Sequence, residues 1–513
     1  MKLFRPLAVT AALGVAGALG TGLLSADPPK TVTPPPAAQP APAAAPDVAG
    51  AVKVTDAKTE TKTAVTPKPL SPGVKAALAY LVKNQQDDGG WNQGGGWRTN
   101  AQGGGARVEG KAVEDPSDVG NTCFALLALF RAGSTPAAGE YKDAVAKGLK
   151  FVLTKVEKAD KDTLYVTDVR NTQLQSKIGP YADTFLVNLV LAEMKGQAGP
   201  DEKRLTAALE KTMNKIVKHQ TAEGGFANNG GWAPTLSVGI ANKGINRAKQ
   251  NGVEVDQKVL DRAFAQSKAA AAGTPAATAV AAAPMAAPAA GVKPGDPVAV
   301  APPSAAPAIG RTSGPVAARG ITEGGGGFGG GGIGGGDAGV RLYGLGQGAG
   351  NTQDGVNTLR VDGEKAKKVL KDATASKEDK AKAGKQIEEL KRAEVANEAV
   401  QNNLAAAVKD DRFVAGFGSN GGEEFLSFLS ISEALLVKGG KDWTEWDAKM
   451  TKGLEKAQDK DGSWAGHHCI TGKTFCTAAA ALVLTADRTP FPVDVLKAAA
   501  TTTDLKAEPP AKK

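Results

Sequence analysis

The sequence predicts an all-α protein, an α/α toroid in which five or six helical hairpins set a barrel of inner helices inside a layer of outer ones. Three observations predict it. A seven-residue corner is written three times, as QQDDGGW over 85–91, QTAEGGF over 220–226 and QDKDGSW over 458–464. Each copy follows one stretch of helical period and precedes another. A helix-corner-helix unit that cannot bury its apolar face alone stacks on its neighbours. The helices also alternate in character. The first of each pair carries Lys and Glu on one face. The second is apolar nearly all round, as in FALLALF (124–130) and FLVNLVLAEM (185–194), the pattern of a helix buried on several sides.

Taken in order, the chain begins with Lys2 and Arg5 ahead of an apolar run from Leu7 to Leu24, closed by the small-residue site Leu24-Ser25-Ala26. Residues 1–26 therefore read as an export signal, which places the chain in the periplasm, the cell envelope or outside the cell. Four glycines weaken that run as a membrane span, and no later stretch is apolar enough to serve, so the processed chain reads as no integral membrane protein. Residues 27–69 are Pro/Ala/Thr/Lys-rich and read as a disordered linker, too poor in apolar area to offset the entropy of ordering.

The first part of the toroid spans 70–268. Val74, Leu78, Leu81 and Val82 share one helix face from Pro72 to the first corner. After a Gly-rich loop, Asp118 or Asn121 caps a helix that runs through Leu129 and stops at Gly133. The next hairpin pairs Tyr141–Val156 with Tyr181–Met194. The third pairs Leu205–His219 with Leu236–Ala248 across the second corner, and a helix from Val255 to Lys268 follows. Residues 269–345 read as an Ala/Pro/Gly-rich disordered insertion. Its glycine run, 324–336, lacks the Gly-Lys-[Ser/Thr] of a phosphate cradle. The second part, 346–490, holds a charged helical stretch over 363–409 as an outer helix with an elaboration. It then holds Phe425–Leu436 (inner), Trp443–Ala457 (outer) and, past the third corner, Phe475–Leu484 (inner). Residues 491–513 form a basic tail.

The net charge of +9 comes from 62 basic and 53 acidic residues spread along the chain. Nucleic-acid binding calls for a clustered basic stripe, so no nucleic-acid partner is expected. Cys123 lies in an apolar run as a small buried hydrophobe. Cys469 and Cys476 flank one loop, and an oxidising compartment makes them a disulfide candidate.

These corners resemble the QW repeat of squalene and other triterpene cyclases. The closing stretch, DGSW followed by TFCTAAAAL (474–482), is similar to the last repeats that those cyclases share with protein prenyltransferase β subunits. The resemblance covers about 71–268 and 390–490 and implies the toroid. For the corner residues it implies a structural role: Gln85, Asp88, Gly89, Gly90 and Trp91; Gln220, Glu223, Gly224, Gly225 and Phe226; Gln458, Asp461, Gly462, Ser463 and Trp464. The glycines permit tight backbone, the acid can cap a helix, and the aromatic can pack on the Gln amide.

Activity is implied less well. The Asp-x-Asp-Asp acid of a protonating cyclase is absent, and aromatics are 5% of the chain, where a cation-stabilising cavity needs many. A prenyltransferase of this fold holds zinc with Asp, Cys and His. The matching helix starts here, Gly422-Glu423-Glu424 and Phe475-Cys476-Thr477, depart from that pattern. Glu423, Glu424, His467, His468, Cys469 and Cys476 nonetheless hold nearly all the metal-capable side chains of the closing repeats. They read either as a zinc site or as a disulfide with exposed loop histidines. The Gly-Cys-Gly-Glu-Gln thioester motif is absent. Helical-toroid polysaccharide lyases also resemble the chain in their Gly-Gly-Trp corners, with Arg98, Arg107, Tyr165, Arg170 and Tyr181 as available groups. The expectation is a binding or scaffold module without catalysis, taking a protein, peptide or apolar ligand in its cavity. A diverged enzyme of the cyclase/prenyltransferase superfamily and a lyase are the alternatives.

Overall fold

A computed structural model describes residues 52–55, 59–99, 105–273, 335–417 and 421–497. The expected signal peptide, the early linker, residues 274–334 of the insertion and residues 498–513 of the tail lie outside the described residues. All described residues fall in one compact unit.

The described residues are mostly helical. Ser71 caps α1 (Pro72–Lys83) by accepting from the Val74 N–H, with Pro72 in the first turn where its missing donor costs nothing. Asp118, not Asn121, caps α2 (Val119–Arg131), taking the Asn121 N–H at 2.8 Å. The chain continues through α3 (Lys142–Lys158), α4 (Gln173–Ile178, capped by Thr172) and α5 (Ala182–Met194). Then come α6 (Glu202–His219), α7 (Pro234–Gln250) and α8 (Gln257–Ala271, capped by Asp256). The second part holds α9 (Gly335–Lys371), α10 (Lys377–Ala407), α11 (Asp411–Ala415), α12 (Gly422–Lys438), α13 (Gly440–Ala457) and α14 (Lys473–Leu484).

Two populations separate by burial. Helices α2 and α5 are buried along their whole length, and α12 and α14 along nearly all of it. By contrast α1, α3, α6 and α13 bury a single stripe. The buried helices pack in the order α2, α5, α7, α9, α12, α14, and α14 packs back on α2. The others lie over the seams: α1 on α14 and α2, α3 on α2, α6 on α5, α8 on α7 and α9, α10 on α9 and α12, α13 on α12 and α14. Small residues let the buried helices approach closely. A Cβ at Gly350 would stand 3.0 Å from the Ser430 carbonyl oxygen, and one at Gly244 would stand 2.7 Å from Asn188 Nδ2.

The corners tie one amphipathic helix to the next. Gln85 Nε2 donates to the Gly89 and Ala144 carbonyls, and Gln458 Nε2 to the Gly462 and Gly73 carbonyls, all at 2.8–2.9 Å. Trp91 and Trp464 donate their indole N–H to Leu81 and Leu454 at 2.7 and 2.9 Å. Their backbone N–H groups go to Thr122 and Thr477. Asp88 and Asp461 accept the N–H two residues on, so the acid closes its own turn and caps no neighbouring helix. In the second corner Glu223 is exposed, Gln220 accepts from Arg262, and Phe226 packs 4.6 Å from Phe185. Gly89, Gly224 and Gly462 all have φ near +80°, and each lies against a carbonyl of the following amphipathic helix. The corner is therefore a splice between helices.

Three expectations need correction. The stretch 27–69 is not a tether throughout. Strand β1 (Lys53–Val54) pairs antiparallel with β5 (Val253–Glu254), and β2 (Thr61–Thr63) with β6 (Pro490–Pro492), joining the two ends of the fold. Lys68 N–H adds a 2.7 Å bond to Asp487. The only other sheet among the described residues is a hairpin, β3 (Gly96–Thr99) with β4 (Gly105–Val108). The insertion does not reach 345, because α9 begins at Gly335 and is buried almost continuously from Leu342 to Val361. The charged stretch 363–409 is the end of α9 and all of α10, a long antiparallel hairpin.

Candidate functional site

Three buried polar clusters lie on the buried helices. The first fills the space among five of them. Arg131, in the last turn of α2, grips Glu193 of α5 with Nε and Nη2 at 3.0 and 2.7 Å, and reaches Glu433 of α12 with Nη1 at 2.6 Å. Lys243 of α7 binds Asp354 of α9 at 2.6 Å and also binds Glu433. Arg247, one turn on, lies 3.1 Å from Asp354, donates to the Pro490 carbonyl and stacks 4.9 Å from the Phe491 ring. Three cations meet three carboxylates, all with side chains no more than 6% exposed. Burial opposes every one of these charges. For Glu433 the opposing pull of Lys243, Arg131 and Arg247 wins and holds its carboxyl well below the usual range. For Arg131 and Lys243 the acids likewise win, and both stay protonated above their ordinary range. Helices α2 and α12, and α7 and α12, are not consecutive in the packing order, so these side chains cross the interior.

The second cluster sits where α12 and α14 begin. Glu424 closes the first turn of α12 by accepting the Gly421 N–H at 2.9 Å, and its other oxygen takes the Tyr343 hydroxyl of α9 at 2.9 Å. His468 Nε2 lies 3.6 Å from that same oxygen. Glu423 accepts the Ile470 N–H at 3.2 Å, and its Oε1 is buried without a hydrogen-bond partner among the described residues. Ligand atoms of Glu423, His468 and Cys469 lie within 4.8 Å of one another. Burial raises Glu423, against the pull of the neighbouring Cys469 thiol and His468. Burial and Glu423 push Glu424 up to about 8. Cys469, at φ +56°, has its thiol pushed up by burial and by Glu423. An aromatic rim borders the cluster: Phe417 stands 5.3 Å from Tyr343, 6.3 Å from His468 and 6.0 Å from Trp232, which is 49% exposed.

Of the six metal-capable side chains singled out by sequence, Glu423, His468 and Cys469 come together and Glu424 borders them. His467 is exposed, and the buried Cys476 thiol contacts the Ile470 carbonyl at 3.5 Å. The expected Cys469–Cys476 disulfide is not formed. All three cysteines are free, because Cys469 turns toward Glu423 while Cys476 points into the core of α14. Glu, His and Cys suit zinc chemically and leave one position open, so the residues present fit such an ion.

The groups considered for lyase chemistry divide. Arg98 pairs with Asp115 at 2.6 Å, and Arg107 pairs with Glu109 and donates to the Gly466 and Thr471 carbonyls. Arg170 stacks 3.8 Å over Tyr165, whose ring is 5.0 Å from Tyr181. No local signal in the sequence marks the interior ion network or Tyr343. Arg131 and Arg247 occupy last turns, where a cation ordinarily answers the helix dipole at the surface.

A third group of acids opens α2 and α5. Asp118 accepts both the N–H and the side-chain amide of Asn121, and burial, with Asp183 nearby, pushes it up to about 8. Among the described residues no helix is long and apolar enough to cross a membrane. Comparison with known proteins finds no match: no family model fits the chain, and no curated protein or solved structure is significantly similar to it.

Proposed function

We propose that the chain is an exported α/α toroid of the QW-repeat kind, acting as a binding or scaffold module without a reaction of its own. The reading rests on the corners, on the helix order that returns from α14 to α2, and on one observation above all. Arg131, Lys243, Arg247, Glu193, Asp354 and Glu433 form a buried ion network among the helices, a charged interior unsuited to a prenyl chain or polyene. Removing any of these would strand a buried charge. The binding face is then the rim, where half-exposed Trp232 and partly buried Phe417, backed by the buried Tyr343, offer aromatic surface of the type that anchors protein or peptide partners. Export rests on Lys2, Arg5 and the run to Ala26. Incubation with squalene, and separately with farnesyl diphosphate and a thiol acceptor, tests the reading by mass spectrometry. Both substrates are expected back unchanged, and a cyclised or prenylated product overturns it.

A second reading is favoured by the unpartnered Glu423 Oε1: a zinc ion held by Glu423, His468 and Cys469. Zinc there would supply a Lewis acid. Around it, Tyr343 would orient Glu424 and the apolar rim would limit water. Metal analysis of the purified chain tests this. One zinc per chain, lost in Cys469→Ser, supports it, and no metal after dialysis against zinc contradicts it.

A further inference from the structure

The charge is less evenly placed in space than along the sequence. From Asp362 to Lys385 there are eight lysines, no arginine, and five acids (Asp362, Glu364, Asp372, Glu378, Asp379), which leaves +3 of a whole-chain +9 in 24 residues. This stretch is the tip of the α9–α10 hairpin. Helix α9 has 37 residues where the other inner helices have 12 to 17. Among the described residues, the last hydrogen bond or ion pair to the body on α9 is Lys249–Asp362 at 3.7 Å, and the first on α10 is Gln257–Glu389 at 3.4 Å. Between them the two helices of the hairpin pack on each other, as where Ile387 approaches Gly363. At 1.5 Å per residue the tip stands about 15 Å clear of the body.

Two of the eight lysines are neutralised locally, Lys365 by Asp362 and Lys367 by Glu364. Lys368, Lys371, Lys377, Lys382 and Lys385 have no ion-pair partner among the described residues and are largely exposed. Leu370 lies among them, 42% exposed on the same tip. With six lysines left against three acids, Asp372, Glu378 and Asp379, the tip keeps a net positive charge, and a folded chain with nothing to meet there loses by the repulsion among the lysines.

We propose that this tip docks on an anionic lipid surface. Side-chain chemistry favours lipid over nucleic acid. Nucleic-acid sites rely on arginine forks and stacked aromatics, and the tip has neither. Ammonium groups on flexible stems suit a diffuse layer of headgroups. One exposed leucine among them suits the boundary between headgroups and acyl chains. The interaction is electrostatic, so it fades with salt, and it orients the body with the hairpin toward the membrane.

The test places an environment-sensitive fluorophore on the tip turn, at Ala373→Cys in a Cys469→Ser full-length chain, so that only local contact is read. Vesicles of equal parts phosphatidylglycerol and phosphatidylcholine are expected to shift the emission to the blue. Vesicles of phosphatidylcholine alone are expected to leave it unchanged. The shift should vanish at about 1 M salt, where the screening length falls to about 3 Å. Reversing Lys368, Lys371, Lys377 and Lys382 to Glu should weaken vesicle binding at the tip by at least about 100-fold. Circular dichroism of the reversed variant confirms that the hairpin still folds. An equal shift with neutral vesicles, no shift with anionic ones, or tighter binding to duplex DNA than to vesicles overturns the proposal.

Discussion

Arg131 and Glu433 meet inside the fold, Nη1 to Oε1 at 2.6 Å, from positions 302 residues apart on helices that are not consecutive in the packing order. Each also serves a second partner: Arg131 grips Glu193, and Glu433 receives Lys243. The network is neutral only as a whole. Glu433→Gln should therefore lower unfolding stability by about 3–5 kcal/mol, because it leaves Arg131 and Lys243 short of a carboxylate in a site closed to water. Chemical denaturation with an unchanged slope measures it.

Two glycines in left-handed backbone, one in a corner and one at the end of α12, can be ranked. Gly462 has φ +86°, and a Cβ there would stand 2.7 Å from the Ala76 carbonyl oxygen. Gly439 has φ +71° and open space around it. Gly439→Ala should cost only the left-handed backbone penalty, about 1–2 kcal/mol. Gly462→Ala should cost at least about 1 kcal/mol more, since it must also push α1 off the third corner. Equal losses in thermal denaturation would show that the splice between α13 and α1 is not tight.

Stability should fall with rising pH through Asp118. Its folded pKa of about 8 lies far above the value near 4 of an unfolded aspartate. The contribution is complete below about pH 4 and is lost as pH rises through 8, since the unfolded chain releases the proton first. Glu424 acts in the same direction. Asp118→Asn removes one such group and should flatten the fall in melting temperature between pH 4 and 8. The amide can be accommodated because Asn121 Oδ1 has no partner among the described residues and can turn to accept it. Parallel pH profiles for the two proteins would contradict this.

Three thiols should be counted. Alkylation in denaturant without reductant should label Cys123, Cys469 and Cys476. Alkylation of the folded chain should reach Cys469 alone, and slowly, because burial and Glu423 hold its thiol protonated. A single labelled cysteine after denaturation would mean that Cys469 and Cys476 are bridged.

Much of the architecture was legible because it rests on local chemistry. The Asp118 cap, the largely apolar 185–194 run and the three corners from Gln to Trp or Phe declare helix starts, burial and splices within windows of a few residues. The rest depends on partners far away in sequence. The first half of α9 carries no local helical signal, because Gly344, Gly346, Gly348 and Gly350 continue the glycine-rich composition of the insertion. They are helical because Gly346 and Gly350 lie against the Ser427 and Ser430 carbonyls, where a larger residue would hold α9 and α12 apart. The strands at 53–54 and 61–63 are too short to carry a period, and each exists only through its pairing with residues about 200 or 430 positions away. At the rim, Glu423, His468 and Cys469 were singled out by residue type. Tyr343, which orients Glu424, carries no local mark at all.

The most direct test is a double-mutant cycle on Arg131→Met and Glu433→Leu, read by denaturant unfolding. A closed interior bridged by ion pairs predicts that the double variant is more stable than the sum of the two single losses implies, by about 2 kcal/mol or more. Losses that add to within about 0.5 kcal/mol would mean that the two side chains do not meet, and that the interior is open.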